Sequence, residues 1–82
     1  MLTHTTLTNK GKPYVFWHFA KGEPSEFTIK GKTYEVRGME IHNKWKWEDD
    51  EVSFREKLPD GTYGILHTQT MEYIVSRVKK EI

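Results

Sequence analysis

The stretch of this sequence best suited to binding alternates cations with aromatic rings: Lys44, Trp45, Lys46 and Trp47. Single-stranded nucleic acid binds surfaces of this composition, because its bases stack on rings and its phosphates meet cations. In a regular strand, however, successive side chains point to opposite faces, which places both tryptophans on one face and both lysines on the other. The stretch therefore predicts either a nucleic-acid contact or a strand whose tryptophans belong to the core.

The same residue types also suit a protein-binding surface, where Trp, Tyr and Arg side chains supply most of the binding energy. We favour this interpretation, with another protein as the partner and nucleic acid as the alternative. The predicted contact residues are Tyr14, Trp17, Lys44, Trp45, Lys46, Trp47 and Arg55. The acidic run that follows is predicted to be a solvated turn and an electrostatic rim, formed by Glu48, Asp49, Asp50 and Glu51. It lacks the ligand spacing and glycine of a calcium-binding loop.

Four histidines are the remaining candidates for chemistry: His4, His18, His42 and His67. Three of them fall in predicted strands, and adjacent strands can bring two histidines together as a metal site or an acid–base pair. No two are spaced at i, i+2 on one strand, the simplest two-ligand arrangement. We find no glycine-rich phosphate loop, nucleophile elbow or paired-histidine zinc helix. We therefore predict no enzymatic activity, no metal site and no cofactor, and expect ordinary surface or half-buried histidines.

Length and composition limit the class of protein that carries these residues. The chain has 82 residues, the size of one domain with a thin stability margin, and aromatic residues make up 13% of it. It contains no cysteine, which excludes disulfides and cysteine-based zinc sites and fits a reducing, cytoplasmic setting. The sequence predicts neither a signal peptide nor a membrane-spanning segment.

The net charge of +1 hides an uneven distribution along the chain. Residues 1–47 contain eight basic and four acidic side chains, whereas residues 48–60 contain two basic and six acidic ones. This division either steers a charged partner or is cancelled where the fold interleaves the charges. We favour the second interpretation.

Residues 14–19 give the clearest strand signal, with β-branched and aromatic side chains on both faces. The two faces consist of Tyr14, Phe16 and His18 on one side and Val15, Trp17 and Phe19 on the other. Either both faces are buried, or one is exposed as a surface for a partner or for self-association. Residues 1–12 are polar and predicted to be frayed or loosely paired, which leaves 13–82 as a single globular domain.

Further strands are predicted downstream. Residues 27–29 and 33–37 alternate in polarity around a Lys-Gly-Lys turn, where glycine supplies the positive φ of a tight hairpin. The alternation slips at Gly38, which predicts a β-bulge, and then continues as a strand from 39 to 47. Residues 52–58 alternate again, and 59–62 predict a turn before a returning strand at 63–67.

Residues 69–82 are amphipathic at helical spacing, with Met71, Ile74, Val75, Val78 and Ile82 on one face and Thr68 or Thr70 as the cap. Because three of those residues are β-branched, a last strand is the alternative. The predicted fold is α+β or mainly β: a bent antiparallel meander of five or six short strands with a C-terminal helix, closed in one version as a small SH3-like barrel. We expect a non-catalytic binding module, an inhibitor or adaptor of bacterial or phage accessory type.

Overall fold

A computed structural model describes residues 2–80 as six strands, one 3-10 turn and one α-helix. The elements are β1 (Leu2–Asn9), β2 (Lys12–Phe19), β3 (Glu26–Ile29), β4 (Lys32–Glu40), the 3-10 turn (Trp47–Asp49), β5 (Glu51–Lys57), β6 (His67–Thr70) and α1 (Met71–Lys80). All strand pairs are antiparallel and form a two-stranded sheet, β1–β2, and a four-stranded sheet, β3–β4–β5–β6. The α+β class is confirmed, and the described strands form two separate sheets rather than a closed SH3-like barrel.

The first two strands form a long hairpin, which we call the hairpin arm. They pair from Leu2 opposite Phe19 to Asn9 opposite Lys12. The turn residues Lys10 and Gly11 have φ values of 52° and 76°, as a type I′ turn requires. Where the sequence predicted a frayed or loosely paired segment, residues 2–9 are a regular strand. Thr5 and Thr6 lie opposite Phe16 and Val15 of β2, and cross-strand pairs of aromatic or β-branched residues stabilise a hairpin.

The hairpin predicted around the second Lys-Gly-Lys turn is confirmed as β3 and β4, with the same φ values of 52° and 76° at Lys30 and Gly31. The pairing of β4 with β5 shifts by one residue between Val36 and Gly38, which confirms the predicted bulge. Arg37 is the extra residue, so Val36 and Met39 pair opposite Phe54 and Val52 and belong to the same face.

The strand predicted for 39–47 ends at Glu40, so the prediction is wrong beyond that residue. The Asn43 side chain accepts a hydrogen bond from the Trp45 N–H at 2.9 Å, and the Asn43 carbonyl accepts one from Lys46 at 3.1 Å. Asparagine bonds of this kind compete with strand pairing and produce a turn. The alternation in 41–47 therefore accompanies a turn that leads into the 3-10 segment.

The predicted turn at 59–62 is confirmed. The Leu58 N–H donates to the Thr62 carbonyl at 2.9 Å, and the Asp60 carboxylate accepts the Thr62 N–H at 3.0 Å. The returning strand begins later than predicted, because between the turn and β6 only Tyr63 forms a strand bridge, opposite Lys57.

Helix α1 follows β6 without a loop and covers one face of the four-stranded sheet. We call residues 26–80, which comprise the four-stranded sheet, the 3-10 turn and the helix, the body. The helix prediction is confirmed for the described residues, with the Thr70 hydroxyl accepting the Tyr73 N–H at 3.3 Å as an N-cap. Ile82 lies outside the described residues. The buried core consists of Phe27, Val52, Phe54, Met71, Ile74 and Val75. The helix in this part of the chain is too short and too polar to cross a membrane.

Candidate functional site

The hairpin arm meets the body at three of the predicted contact residues. The Tyr14 hydroxyl oxygen accepts a hydrogen bond from the Trp47 N–H at 2.7 Å. Trp17 and Trp47 are half-buried against the core, with their ring centroids 6.4 Å apart. Burial raises the pKa of the Tyr14 hydroxyl, and the hydrogen bond from the Trp47 N–H opposes this effect. Trp17 and Trp47 therefore attach the arm to the body rather than standing free for a ligand.

A line of rings runs along one face of β2 and continues onto the 41–46 turn. The ring centroids of Tyr14 and Phe16 are 6.4 Å apart, and those of Phe16 and His18 are 5.4 Å apart. Trp45 extends the line, edge-on to Tyr14 at 5.5 Å, and the Lys44 ammonium lies 5.1 Å from the Trp45 ring. Trp45 is 38% exposed. We call Tyr14, Phe16, His18 and Trp45 the aromatic row.

A cleft of about 660 Å³ lies beside the aromatic row, between the hairpin arm and the second half of β4. Its apolar lining includes Leu7, Phe16, Val36, Met39 and Ile41. The bulge at Gly38 creates part of this lining, because it sets Val36 and Met39 on one face of a single strand. Sequence reasoning located the bulge but did not select Leu7, Met39 or Ile41 as site residues, since only the fold brings them together.

The electrostatics of the cleft are one-sided. Lys21 and Arg37 contribute to the lining, and among the described residues no carboxylate does. The hairpin arm likewise carries Lys10 and Lys12 and no Asp or Glu. Arg37 also pairs with the Glu35 carboxylate at 3.2 Å, so the excess of positive charge around this site is cancelled in part.

The outer edges of the hairpin arm are a second feature of the site. Within residues 2–80, β1 and β2 pair only with each other, so each leaves one edge without a neighbouring strand. Unpaired backbone N–H and C=O groups of a strand edge can accept another strand. The body has shorter edges, formed by the four-residue strands β3 and β6.

Arg55, another predicted contact residue, lies away from this site on the polar face of the sheet. Its guanidinium donates to the Glu35 carboxylate at 3.1 and 3.2 Å and lies 3.7 Å from the Tyr63 ring centroid. Burial opposes ionisation of Glu35, but hydrogen bonds and charge from Arg55 and Arg37 outweigh it and hold the pKa of Glu35 below its ordinary value. Lys46 belongs to the 41–46 turn, where it pairs with Asp49 at 3.5 Å.

The acidic run 48–51 forms the predicted solvated turn only in part, because one of its four residues is buried. Glu48 and Asp49 belong to the 3-10 turn, Glu51 begins β5, and Asp50 is fully buried. Neither carboxylate oxygen of Asp50 has a partner in hydrogen-bonding geometry. Burial raises the pKa of Asp50, and the nearby backbone N–H and ring of His42 offset only part of that effect.

The burial of Asp50 has a structural cause. Its carbonyl accepts the Met71 N–H at 2.8 Å, and its own N–H donates to Trp47 at 3.1 Å. These two bonds fix its backbone between the 3-10 turn and the first residue of α1. The electrostatic rim predicted from the sequence therefore loses Asp50.

The histidines have separate environments. His18 is hydrogen-bonded to Thr5 at 2.7 Å, whereas His4 packs on Trp17 with ring centroids 4.9 Å apart and His67 on Phe54 at 5.9 Å. His42 lies with Glu40 and Glu51, and one ligand atom from each falls within 4.8 Å of the others. One imidazole and two carboxylates suit a divalent cation, but all three are exposed, and we assign no metal to them.

The arrangement around the cleft suits non-covalent recognition. An apolar concave surface with a few cations selects a ligand by burial and charge and requires no reactive group. Comparison with protein-family models, curated proteins and solved structures gives no match to this chain. The function is therefore inferred from the residues that line the cleft and from their geometry.

Proposed function

We propose that this protein is a small non-catalytic binding module that acts by protein–protein interaction and holds an extended segment of its partner in the cleft. The observation that carries the proposal is the cleft itself. Its volume is about 660 Å³, and its lining includes the exposed apolar side chains of Leu7, Met39 and Ile41. Exposed apolar side chains that gather in one place on a small domain mark an interaction surface.

The lining indicates the chemistry of the partner. Aliphatic side chains favour apolar side chains over the polar edges of nucleic-acid bases. Lys21 at the cleft, with Lys10 and Lys12 on the arm, favours carboxylates beside those apolar residues, and Arg37, which pairs with Glu35 at 3.2 Å, adds a partly neutralised cation. The partner segment therefore combines apolar residues with Asp or Glu. An extended segment can also add backbone pairing along an unpaired edge of the arm.

The proposed biological role is that of an inhibitor or adaptor, of the type found among bacterial and phage accessory proteins. A chain of 82 residues that binds a segment of a larger protein covers that segment and so keeps other proteins from binding it. We further propose a reducing, cytoplasmic setting, which the absence of cysteine supports.

Selection from a random peptide display library tests the proposal. We expect enriched peptides to contain apolar residues flanked by Asp or Glu, and Ile41→Asp to weaken their binding by at least about tenfold. Leu66→Asp is the matched control, because Leu66 is 59% exposed, Ile41 is 60% exposed, and both lie outside strands. Sedimentation of the protein alone identifies any self-association, in which a second copy takes the place of the peptide.

Two results contradict the proposal: no sequence preference after selection, or selected peptides whose binding is equally sensitive to Ile41→Asp and Leu66→Asp. The first leaves the cleft without a peptide ligand. The second assigns binding to general hydrophobicity rather than to the cleft.

Single-stranded nucleic acid is the second candidate partner, and the aromatic row favours it. Rings spaced 5.4 to 6.4 Å apart, with Lys44 beside Trp45, offer successive stacking surfaces next to a cation. Binding of an oligo(dT) at low salt, lost at high salt and in Trp45→Ala but kept in Tyr63→Ala, supports this candidate. No binding at low salt eliminates it.

A further inference from the structure

A second pocket lies between the four-stranded sheet and the C-terminal half of α1, and we call it the ring pocket. Its volume is about 430 Å³, within the range of small-molecule sites. It shares no lining residue with the cleft. The ring pocket therefore lies outside the site assigned to the protein partner.

The base of the ring pocket is aromatic. Phe27 and Tyr34 are stacked with centroids 5.3 Å apart, and Phe54 meets their rings edge-on at 5.3 and 5.6 Å. Phe27 and Phe54 line the pocket and also belong to the buried core, whose packing holds their rings in place. A base of fixed rings accepts a planar aromatic group in stacked or edge-to-face contact.

The wall of the ring pocket is cationic. Tyr73, Arg77 and Lys80 face the pocket from successive turns of α1, and the Arg77 guanidinium lies 3.9 Å from the Tyr73 ring centroid. A guanidinium above a ring keeps its in-plane N–H donors available for an anion. Among the described residues, no carboxylate lines the pocket.

The helix dipole gives an alternative reason for these cations, because positive side chains stabilise the last turn of any helix. Lys79 separates the two explanations. It occupies the same last turn, yet its ammonium lies 4.9 Å from the Trp17 ring, on the hairpin arm, whereas Lys80 lines the ring pocket. The dipole acts on both lysines, and only Lys80 is placed to meet a ligand in the pocket.

We propose that the ring pocket binds an aromatic anion, a single planar ring system that bears a phosphate or carboxylate group. The ring packs on Phe27, Tyr34 and Phe54, and the anionic group meets Arg77 and Lys80. This ligand differs in class and in place from the peptide segment proposed for the cleft.

Calorimetric titration of the full chain with thymidine monophosphate and with indole-3-acetate tests the two forms of the anion. At least one of these aromatic anions is expected to bind, and more tightly by at least about tenfold than its separate parts, thymidine and inorganic phosphate or indole and acetate. Lys80→Ala weakens that binding by about tenfold, since a charge-assisted hydrogen bond is lost. Lys79→Ala changes it by less than about twofold.

The proposal is overturned if neither aromatic anion binds, or if Lys79→Ala weakens binding as much as Lys80→Ala does, because general charge attraction then accounts for it. Circular dichroism spectra that match the wild-type spectrum establish that both variants are folded. Binding of the display-selected peptides measures the cleft independently. Lys80→Ala should leave that binding unchanged, because Lys80 does not line the cleft. Failure of one site is therefore distinguishable from failure of the other.

Discussion

The hairpin arm and the body contain similar turns and aromatic residues but differ in how far their side chains are buried. Each contains a hairpin closed by a Lys-Gly turn with φ values of 52° and 76°, and each carries aromatic residues on its strands. The body buries its apolar side chains between sheet and helix. In the arm, every described side chain of β1 and β2 is at least partly exposed.

Residue type alone therefore does not determine which side chains of this protein are buried and which are exposed. Position relative to α1 does so, because the helix covers one face of the four-stranded sheet and leaves one side of the arm open. We therefore assign most of the stability to the body, and the proposed partner contacts lie on the arm and the adjoining part of β4.

The largest expected effect comes from opening a cavity in the body. Ile74 is fully buried, and Ile74→Ala should lower the free energy of unfolding by about 2–5 kcal/mol. The matched change in the arm, Val15→Ala, removes a side chain that is 44% exposed and should cost less than about 1 kcal/mol. Urea denaturation followed by tryptophan fluorescence measures both, and equal losses would contradict the comparison.

A change of opposite sign is expected where the body buries a charge. Asp50→Asn should raise the free energy of unfolding at pH 7 by about 1–3 kcal/mol, because it removes a buried charge whose desolvation the backbone N–H and ring of His42 offset only in part. The pKa of Asp50 is raised in the folded protein, so the stability linked to its neutral form is fully present below the ordinary aspartate value of about 4 and is lost as the pH rises through the folded value.

The advantage of Asp50→Asn should therefore shrink as the pH falls toward 4. Asp49→Asn, the exposed neighbour, removes the same formal charge and serves as the control. Thermal unfolding at a series of pH values checks the trend. A gap between Asp50→Asn and the wild type that stays constant with pH would show that Asp50 is not the group responsible.

The two Lys-Gly turns allow one substitution to be compared in both regions. Gly11 and Gly31 share a φ of 76°, and at neither does an added Cβ meet any atom within 4 Å, so the cost of alanine is backbone strain, about 1–2 kcal/mol. Gly31→Ala should show this cost in global unfolding. Gly11→Ala should show it as opening of the arm, with amide hydrogen exchange of β1 and β2 about 5- to 30-fold faster.

A smaller effect is expected at the attachment between the two regions. Tyr14→Phe removes the acceptor of the Trp47 N–H and should cost about 0.5–1.5 kcal/mol, seen as faster hydrogen exchange in the arm and not in β5. Tyr63→Phe, on an exposed ring, is the control. Exchange that rises equally in both regions would mean that arm and body open as one unit.

The sequence predicted the features whose conformation depends only on residues that are close together in the chain. The β3–β4 turn, the bulge at Gly38 and the helix cap at Thr70 each depend on a few neighbouring residues. The sequence predicted the turn and the bulge, and it narrowed the cap to Thr68 or Thr70. The sequence predicted the second strand of the arm but missed β1 and its turn, although Lys10-Gly11-Lys12 repeats the tripeptide Lys30-Gly31-Lys32, because the threonines of β1 lack an apolar alternation. That repeat was the available signal.

Long-range contacts determine what the sequence did not reveal. Asp50 belongs to an acidic run, which predicts solvent exposure, and only its backbone bond to Met71 brings it inside. Trp45 and Trp47 have the same parity but different environments, because the Asn43 turn ends the alternation before either is reached. The cleft requires the placement of the arm against β4, which no local pattern encodes.

The direct passage from β6 into α1 sets the rotational phase of the helix. Thr70 pairs with Glu51 in the sheet and caps the helix, so no residue between the two elements can absorb a change in chain length. Successive residues of an α-helix are about 100° apart around its axis. One residue inserted after Thr70 would therefore turn Met71, Ile74 and Val75 away from the sheet. The hydrophobic face of α1 and the ring pocket, which α1 lines, should tolerate substitution far better than insertion.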